Sequence, residues 1–288
     1  MLDRRRLAAE AAFEALSCRR KLSIGLEEAV SPIGTAESLD IEVRFVDVPS
    51  MEGIYVAGSS ATILLSSLRP AGRRHFTCAH ELGHHVFGHG AQFDEIRNER
   101  TARRTIDPKE FLADCFAAYF LMPKATVDSG MARRGFRYQT MTPLEALTMA
   151  GWLGVGYRSF VYQLEYGLGV IDHHRGNSLR KVPPQDIRAA IIGKRTTTNL
   201  YVVDQSWRGR AVDCEVGDYL LLPVSTLYEG RPTDEFGSVA KGILVQTKHP
   251  GIGRVSSGRP LWSAFIRVSR GRYVGRSQYR FDEEVDES

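Results

Sequence analysis

Residues 80–84 read His80-Glu81-Leu82-Gly83-His84, which is an H-E-x-x-H motif. The residues around it predict a helix over positions 73–87 that ends at Gly88 and Gly90. Positions four apart share one face of a helix, so both imidazoles can bind one metal ion. Glu81 lies beside that face and could take a proton from the attacking water. The motif therefore predicts a catalytic metal site.

A catalytic zinc usually has three protein ligands, so a third ligand is needed. The metzincin pattern requires glycine at position 87 and histidine at position 90, but this chain has Phe87 and Gly90. The gluzincin arrangement places a glutamate on a later helix, with an acidic residue four positions on. Glu110 and Asp114 have this spacing. We predict Glu110 as the third ligand, and we predict that Asp114 accepts a hydrogen bond from a ligand imidazole.

The helix that carries Glu110 is predicted to begin after an N-cap at Asp107 and to stop at Pro123. Its small side chains would allow close packing against a neighbouring helix. Glu110 could instead complete a capping box with Asp107. Residues 97–104 are interpreted as a mobile loop. Three other carboxylates, in or near this loop, compete for the role of third ligand: Asp94, Glu95 and Glu99.

The two motifs together resemble the ImmA/IrrE family of metallopeptidases. Residues 77–85 read TCAHELGHH and residues 110–123 read EFLADCFAAYFLMP. The second stretch is similar to the family signature E-x-x-A-N-x-F-A-A-x-L-L-M-P. It departs from that signature with Asp114 in place of asparagine and Phe120 in place of leucine. The resemblance covers roughly residues 5–170.

The resemblance implies an α+β, gluzincin-like domain with a zinc site, manganese being the alternative metal. It implies His80, His84 and Glu110 as metal ligands and Glu81 as the general base. It also implies a protein substrate, namely a helix-turn-helix transcriptional repressor that is cleaved in a regulatory or stress response. Members of this kind are bacterial or phage-borne and cytoplasmic.

The chain divides by composition into three predicted parts. Residues 1–139 are predicted to form the zinc metallopeptidase domain, with a helix at residues 3–20 and a small antiparallel sheet at residues 41–65. Residues 140–179 form a helical, helix-turn-helix-like segment. Residues 180–288 are predicted to be a β-rich sensor or docking domain with a solvated acidic tail.

Tyr55 is a candidate for contacting the substrate. It lies in the predicted strand at residues 53–56, which could be the sheet edge that pairs with an extended substrate. Its hydroxyl could then serve as an oxyanion donor. The alternative is an aromatic residue that only packs within the sheet.

Residues 150–160 resemble the A-x-x-L-G-V turn of a helix-turn-helix, with a possible recognition helix to Tyr166. Residues 142–170 contain one arginine and two glutamates, which disfavours direct DNA binding and favours a structural or docking role. The alternating arginines and aromatic residues at positions 259–280 could bind single-stranded nucleic acid, or they could line the outer faces of strands. The rival hypothesis is a DNA-binding regulator that uses a metallopeptidase-like fold as a sensor scaffold.

Composition excludes several other classes of protein. The 288 residues are 43% hydrophobic and 25% charged, with a net charge of +4, and are typical of a globular protein. No apolar run approaches the roughly 18 residues that span a bilayer, so no membrane partner is expected. The start of the chain lacks the pattern of a secretory signal, which favours the cytoplasm. The four cysteines show no C-x-x-C spacing, so we expect reduced thiols.

Overall fold

The computed structural model describes residues 3–58, 60–90, 92–95, 107–230, 232–239 and 241–282. These residues form a mixed α+β fold, in agreement with the predicted class. None of the helices in these ranges combines the length and the apolar character that a membrane span would need. The predicted loop at residues 97–104 lies outside the described residues, as does the acidic tail beyond residue 282.

Nine α-helices lie within the described residues, and the predicted metal-binding helices are among them. They are α1 (Arg4–Lys21), α2 (Pro32–Ser38), α3 (Ala71–Val86), α4 (Pro108–Leu121), α5 (Lys124–Arg134), α6 (Pro143–Leu153), α7 (Tyr157–Tyr162), α8 (His173–Arg180) and α9 (Pro184–Ile192). The sequence signals place α3 and α4 to within a few residues, because Gly88 and Pro123 each follow the end of a helix. Helices α2, α5 and α9 were not predicted, and α9 lies within the part expected to be β-rich.

Helix α1 begins at Asp3, whose side chain accepts a hydrogen bond from the Arg6 amide. Its inward face consists of the small residues Ala11 and Ala15, whereas Phe13 is 68% exposed. Arg19 is fully buried and donates to the Phe120 carbonyl oxygen at 2.8 Å. This bond ties α1 to the last turn of α4.

The first sheet has the order β13-β1-β3-β2-β4. Its strands are β1 (Glu42–Val46), β2 (Met51–Val56), β3 (Thr62–Ser66), β4 (Gln92–Glu95) and β13 (Gly275–Arg276). The prediction of a purely antiparallel sheet is wrong, because β1 and β3 pair in parallel, with Glu42 opposite Thr62. Strand β3 lies between β1 and β2 in the sheet. It runs parallel to β1 and antiparallel to β2.

The predicted role of β2 as a sheet edge is also wrong. Strand β4 hydrogen-bonds along β2, with Gln92 opposite Tyr55 and Phe93 opposite Ile54. Among the described residues, β4 is the last strand of the sheet on this side. On the other side, β13 pairs with β1, so a segment from the C-terminal part of the chain completes the first sheet.

Residues 200–269 form two four-stranded sheets of order β5-β7-β10-β9 and β6-β12-β11-β8. Their strands are β5 (Leu200–Val202), β6 (Ala211–Glu215), β7 (Tyr219–Leu222), β8 (Thr226–Glu229), β9 (Thr233–Val239), β10 (Gly242–Thr247), β11 (Gly251–Gly258) and β12 (Leu261–Ser269). Helices α8 and α9 precede them. One hydrophobic cluster runs from α1 to β12, so the predicted parts share a continuous core.

Helix α6 has a complete capping box between Thr142 and Glu145 and ends at Gly154, whose φ of +71° favours glycine. A short turn leads into α7, which continues as a π-helical turn over Gln163–Gly167. Gly72 at the start of α3 lies against this turn, since a Cβ atom there would come within 2.7 Å of the Val155 carbonyl carbon. The α6–α7 turn is therefore packed directly on the helix that carries the H-E-x-x-H motif.

Candidate metal centre

Helices α3 and α4 approach closely because small residues face each other across their contact. A Cβ atom on Gly83 would lie 3.2 Å from the Cα atom of Ala113, and Ala113 and Ala117 are fully buried. The expectation that small residues on α4 permit close packing is confirmed. This contact brings the first turn of α4 onto the face of α3 that presents the two histidines.

Three side chains converge at this contact: His80, His84 and Glu110. The two Nε2 atoms lie 3.0 Å apart, and the Glu110 carboxylate oxygens lie 3.6 Å from His80 Nε2 and 3.4 Å from His84 Nε2. Tetrahedral ligands about 2.0–2.1 Å from a zinc ion would be roughly 3.3 Å apart. The three separations match that value, and two imidazoles with a carboxylate are a donor set that suits zinc. These residues therefore fit one metal ion.

The other ring nitrogens hold the imidazoles in orientation. His80 Nδ1 lies 2.9 Å from an Asp114 carboxylate oxygen, and His84 Nδ1 lies 2.9 Å from His89 Nδ1. Such contacts fix the tautomer and aim Nε2 at the metal. Sequence reasoning did not single out His89 for this role. The local density of histidines was the signal that could have found it.

The pKa values of His80 and His84 are shifted in opposite directions. Burial alone would lower the pKa of His80, but hydrogen bonds to Asp114 and Glu110 outweigh burial and raise it to about 10. Burial and the positive charge of His80 lower the pKa of His84 to about 4. Without metal, these opposite shifts favour a proton on His80 over a proton on His84.

Glu110 faces the histidines, and its helix is capped by another residue. The Asp107 side chain accepts a hydrogen bond from the Lys109 amide at 2.9 Å. Of the competing third ligands, Asp94 and Glu95 lie in β4, for which only the backbone is described. Glu99 lies outside the described residues.

Glu81 is fully buried on α3 beside the histidine pair. Its carboxylate lies against β2, because a Cβ atom on Gly53 would come within 2.8 Å of Glu81 Oε1. Gly53 was not singled out in the sequence, and a Cβ atom there would also lie 2.4 Å from Thr77 Cγ2, so a larger residue would displace both side chains. The absence of a side chain at position 53 makes room for the candidate base.

Tyr55 is buried in β2, and its hydroxyl lies 2.7 Å from His85 Nδ1. Burial raises the pKa of this phenol above its usual value. Because β4 covers the strand, Tyr55 does not lie on the sheet edge. Its partner, His85, directly follows His84 in sequence.

A cavity of about 610 Å³ opens beside the three converging side chains, and His80, Glu110 and Asp114 contribute to its wall. The opposite wall comes from α7 and the π-helical turn, where the exposed rings of Tyr162 and Tyr166 stack with their centroids 5.9 Å apart. Sequence reasoning did not place this aromatic wall near the metal ligands. The cavity can admit a polypeptide side chain next to the candidate metal.

Comparison with known proteins agrees with this geometry. Residues 36–164, a little under half of the chain, match the Peptidase M78 family, described as an IrrE N-terminal-like domain. The match confirms the resemblance to the ImmA/IrrE family, and it contains α3, α4 and all three converging side chains. No curated protein matches the sequence. The family and the arrangement of the site indicate a metallopeptidase-like function.

Proposed function

Starting from the match to the IrrE N-terminal-like peptidase family, we propose that this chain is a zinc-dependent endopeptidase. Its proposed substrate is a helix-turn-helix transcriptional repressor, cleaved in the cytoplasm during a regulatory or stress response. One observation carries the proposal. His80, His84 and Glu110 converge with the spacing of metal ligands, and the buried Glu81 stands on the same helix. A scaffold with no catalytic role would not need this glutamate.

Each residue has a defined task in the proposed reaction. When bound, zinc supplies Lewis-acid chemistry that polarises the scissile carbonyl and the attacking water. Glu81 accepts the proton of that water and delivers it to the nitrogen of the leaving amine. Asp114 and His89 hold the two imidazoles in position.

Two features support a polypeptide substrate. In the part of the chain that the structure describes, β4 is the last strand of the first sheet, and sheet edges pair with extended peptides through backbone hydrogen bonds. The cavity beside His80 offers the aromatic rings of Tyr162 and Tyr166 to a substrate side chain. The identity of the substrate as a repressor rests on the family resemblance.

The proposal is tested with Glu81→Gln, which removes the base and preserves the shape of the side chain. The matched control is Glu10→Gln, on the exposed face of α1. Cells that produce each variant are compared by mass spectrometry of new protein N-termini. We expect a cleaved repressor with the wild type and the control, and about 100-fold or more less product with Glu81→Gln. Identical N-termini in all three samples would contradict the proposal.

The rival DNA-binding hypothesis has weaker support. Arg158 is the single arginine of the α6–α7 segment, and within the described residues Arg267 and Arg280 are both engaged by Asp213, at 2.7 and 2.9 Å. Trp262, in the aromatic-rich segment, is buried. Two arginines of this segment are therefore already paired within the protein, which leaves fewer cations to contact phosphates. Tight, salt-sensitive binding of the purified protein to a specific DNA sequence would favour the rival.

A further inference from the structure

A second cavity, of about 510 Å³, lies at the opposite end of α3 from the metal ligands. Its walls come from the first turn of α3, the α6–α7 turn, α9 and the strands β5 and β6. The segments that meet here are spread over more than a hundred residues of sequence. The proposed peptidase mechanism assigns no role to this cavity.

Two guanidinium groups face the cavity without an ion-pair partner among the described residues. Arg188 donates to the Thr196 carbonyl oxygen at 3.3 Å, and Arg210 donates to the Trp152 carbonyl oxygen at 3.2 Å. Burial lowers the pKa of both groups, to about 10 for Arg210, so both remain cationic at neutral pH. The charges of Asp218 and Asp213 offset part of this lowering for Arg188 and Arg210, but neither carboxylate forms an ion pair with them among the described residues, so a directly bound anion would stabilise both cations.

The rest of the lining adds to this positive potential. The N-terminus of α3 points at the cavity through Ala71 and Gly72, and within the described residues no side chain caps it and no acidic residue lies in its first turn. Helix N-termini carry a partial positive charge that favours anions. Asp213, the one carboxylate among the described lining residues, is neutralised by Arg267 and Arg280.

The remaining lining is largely aromatic and aliphatic. Trp207 and Tyr201 contribute to the wall, and Arg210 lies over the rings of both Trp152 and Trp207, 5.5 and 5.2 Å from their centroids. A planar, apolar group is the kind of ligand that such a wall accommodates. The lining thus combines a surface for a ring system with cations for an acidic group.

We propose that this cavity binds a small organic anion, in which a carboxylate, phosphate or sulfonate group is joined to a planar ring system. The acidic group contacts Arg188, Arg210 and the N-terminus of α3, and the ring system packs against Trp207 and Tyr201. The bound ligand touches α3 nine residues before His80, which is about 13 Å along a helix. The ligand therefore contacts neither His80 nor His84, although the two cavities share Arg73 and Ser159 in their walls.

Anilinonaphthalene sulfonate and its uncharged parent, phenylnaphthylamine, form a matched pair of fluorescent probes for this proposal. Two of the three tryptophans, Trp152 and Trp207, line the cavity, so energy transfer from tryptophan reports the bound probe. We expect the sulfonate to bind with one site per chain and at least about tenfold more tightly than the uncharged probe. That ratio corresponds to the loss of a charge-assisted hydrogen bond.

Arg188→Gln and Arg210→Gln are each expected to weaken the sulfonate about tenfold and to leave the uncharged probe unchanged. Arg195→Gln is the control, because Arg195 is exposed and pairs with Asp186 at 2.9 Å. Arg188 lies on the outer helix α9, so its variant keeps the test valid if Arg210→Gln fails to fold. Equal binding of the two probes, or sulfonate binding that neither variant weakens, would overturn the proposal.

Discussion

The two ends of α3 differ in charge and in how they are assembled. At the C-terminal end, His80 and His84 meet Glu110 and Asp114, so carboxylates surround a candidate cation site. At the N-terminal end, guanidinium groups and an uncapped helix start surround a second cavity. Both arrangements follow the macrodipole of the helix, which favours cations near its C-terminus and anions near its N-terminus.

The two ends of α3 also differ in which parts of the chain form them. The candidate metal site is built from residues four apart on each of two helices, which touch at Gly83 and Ala113. The other cavity needs arginines from positions 188 and 210, which reach α3 only through the tertiary fold. A regular spacing on one helix is visible in a sequence, whereas a site made from distant segments is not.

Alanine substitutions at glycines compare the packing at the two ends of α3. A Cβ atom at position 72 would meet backbone at 2.7 Å, whereas at position 83 the nearest atom is at 3.2 Å. We expect Gly72→Ala to lower the free energy of unfolding by about 3 kcal/mol and Gly83→Ala by about 1 kcal/mol, after the gain in helix propensity. Chemical denaturation measures both values.

Gly151→Ala is the control for this pair. Its added Cβ atom would have a single near neighbour, Tyr201 at 3.8 Å, so the helix propensity of alanine should stabilise the protein by about 0.5–1 kcal/mol. The same loss of stability at positions 72 and 83 would mean that the two ends of α3 are packed alike.

Removing a side chain that orients a ligand imidazole tests the candidate metal site alone. Asp114→Ala and His89→Ala each free one ligand imidazole, so we expect metal affinity to fall about 10–100-fold in each variant. Competition with a chromogenic chelator measures the change. Asp47→Ala, at an exposed loop position, should bind metal as the wild type does. Unchanged affinity in Asp114→Ala would show that the contact with His80 does not orient the ligand.

The pH dependence of metal binding follows from the raised pKa of His80. Metal must displace the proton that Asp114 and Glu110 hold on this imidazole at pH values below about 10. Affinity should therefore fall about tenfold for each unit of decrease in pH near neutrality, with about one proton released per metal ion. Calorimetry in buffers of different ionisation enthalpy counts that proton. Binding without proton release would contradict this assignment.

The sequence predicted the local parts of the structure well. The H-E-x-x-H spacing, the cap at Asp107 and the breaks at Gly88 and Pro123 locate α3 and α4, since each signal acts within one or two helical turns. The convergence of Glu110 with the histidines required a further inference, and it came from small residues and a family resemblance.

The features that sequence reasoning missed depend on tertiary contacts. Whether β2 is an edge depends on β4, about forty residues later, and the parallel pairing of β1 and β3 depends on strand order. The contact of His84 with His89 needs the chain to turn at Gly88, which has a φ of +62°. None of these contacts has a periodic signature in the sequence.

The central claim is that His80, His84 and Glu110 form one metal site. Its most direct test is elemental analysis and metal titration of the purified wild type, Glu110→Ala and the control Glu10→Ala. We predict about one zinc per chain in the wild type and the control, and an affinity at least about 100-fold lower in Glu110→Ala. A wild type that takes up no metal, or a Glu110→Ala variant that binds it equally tightly, would contradict the account.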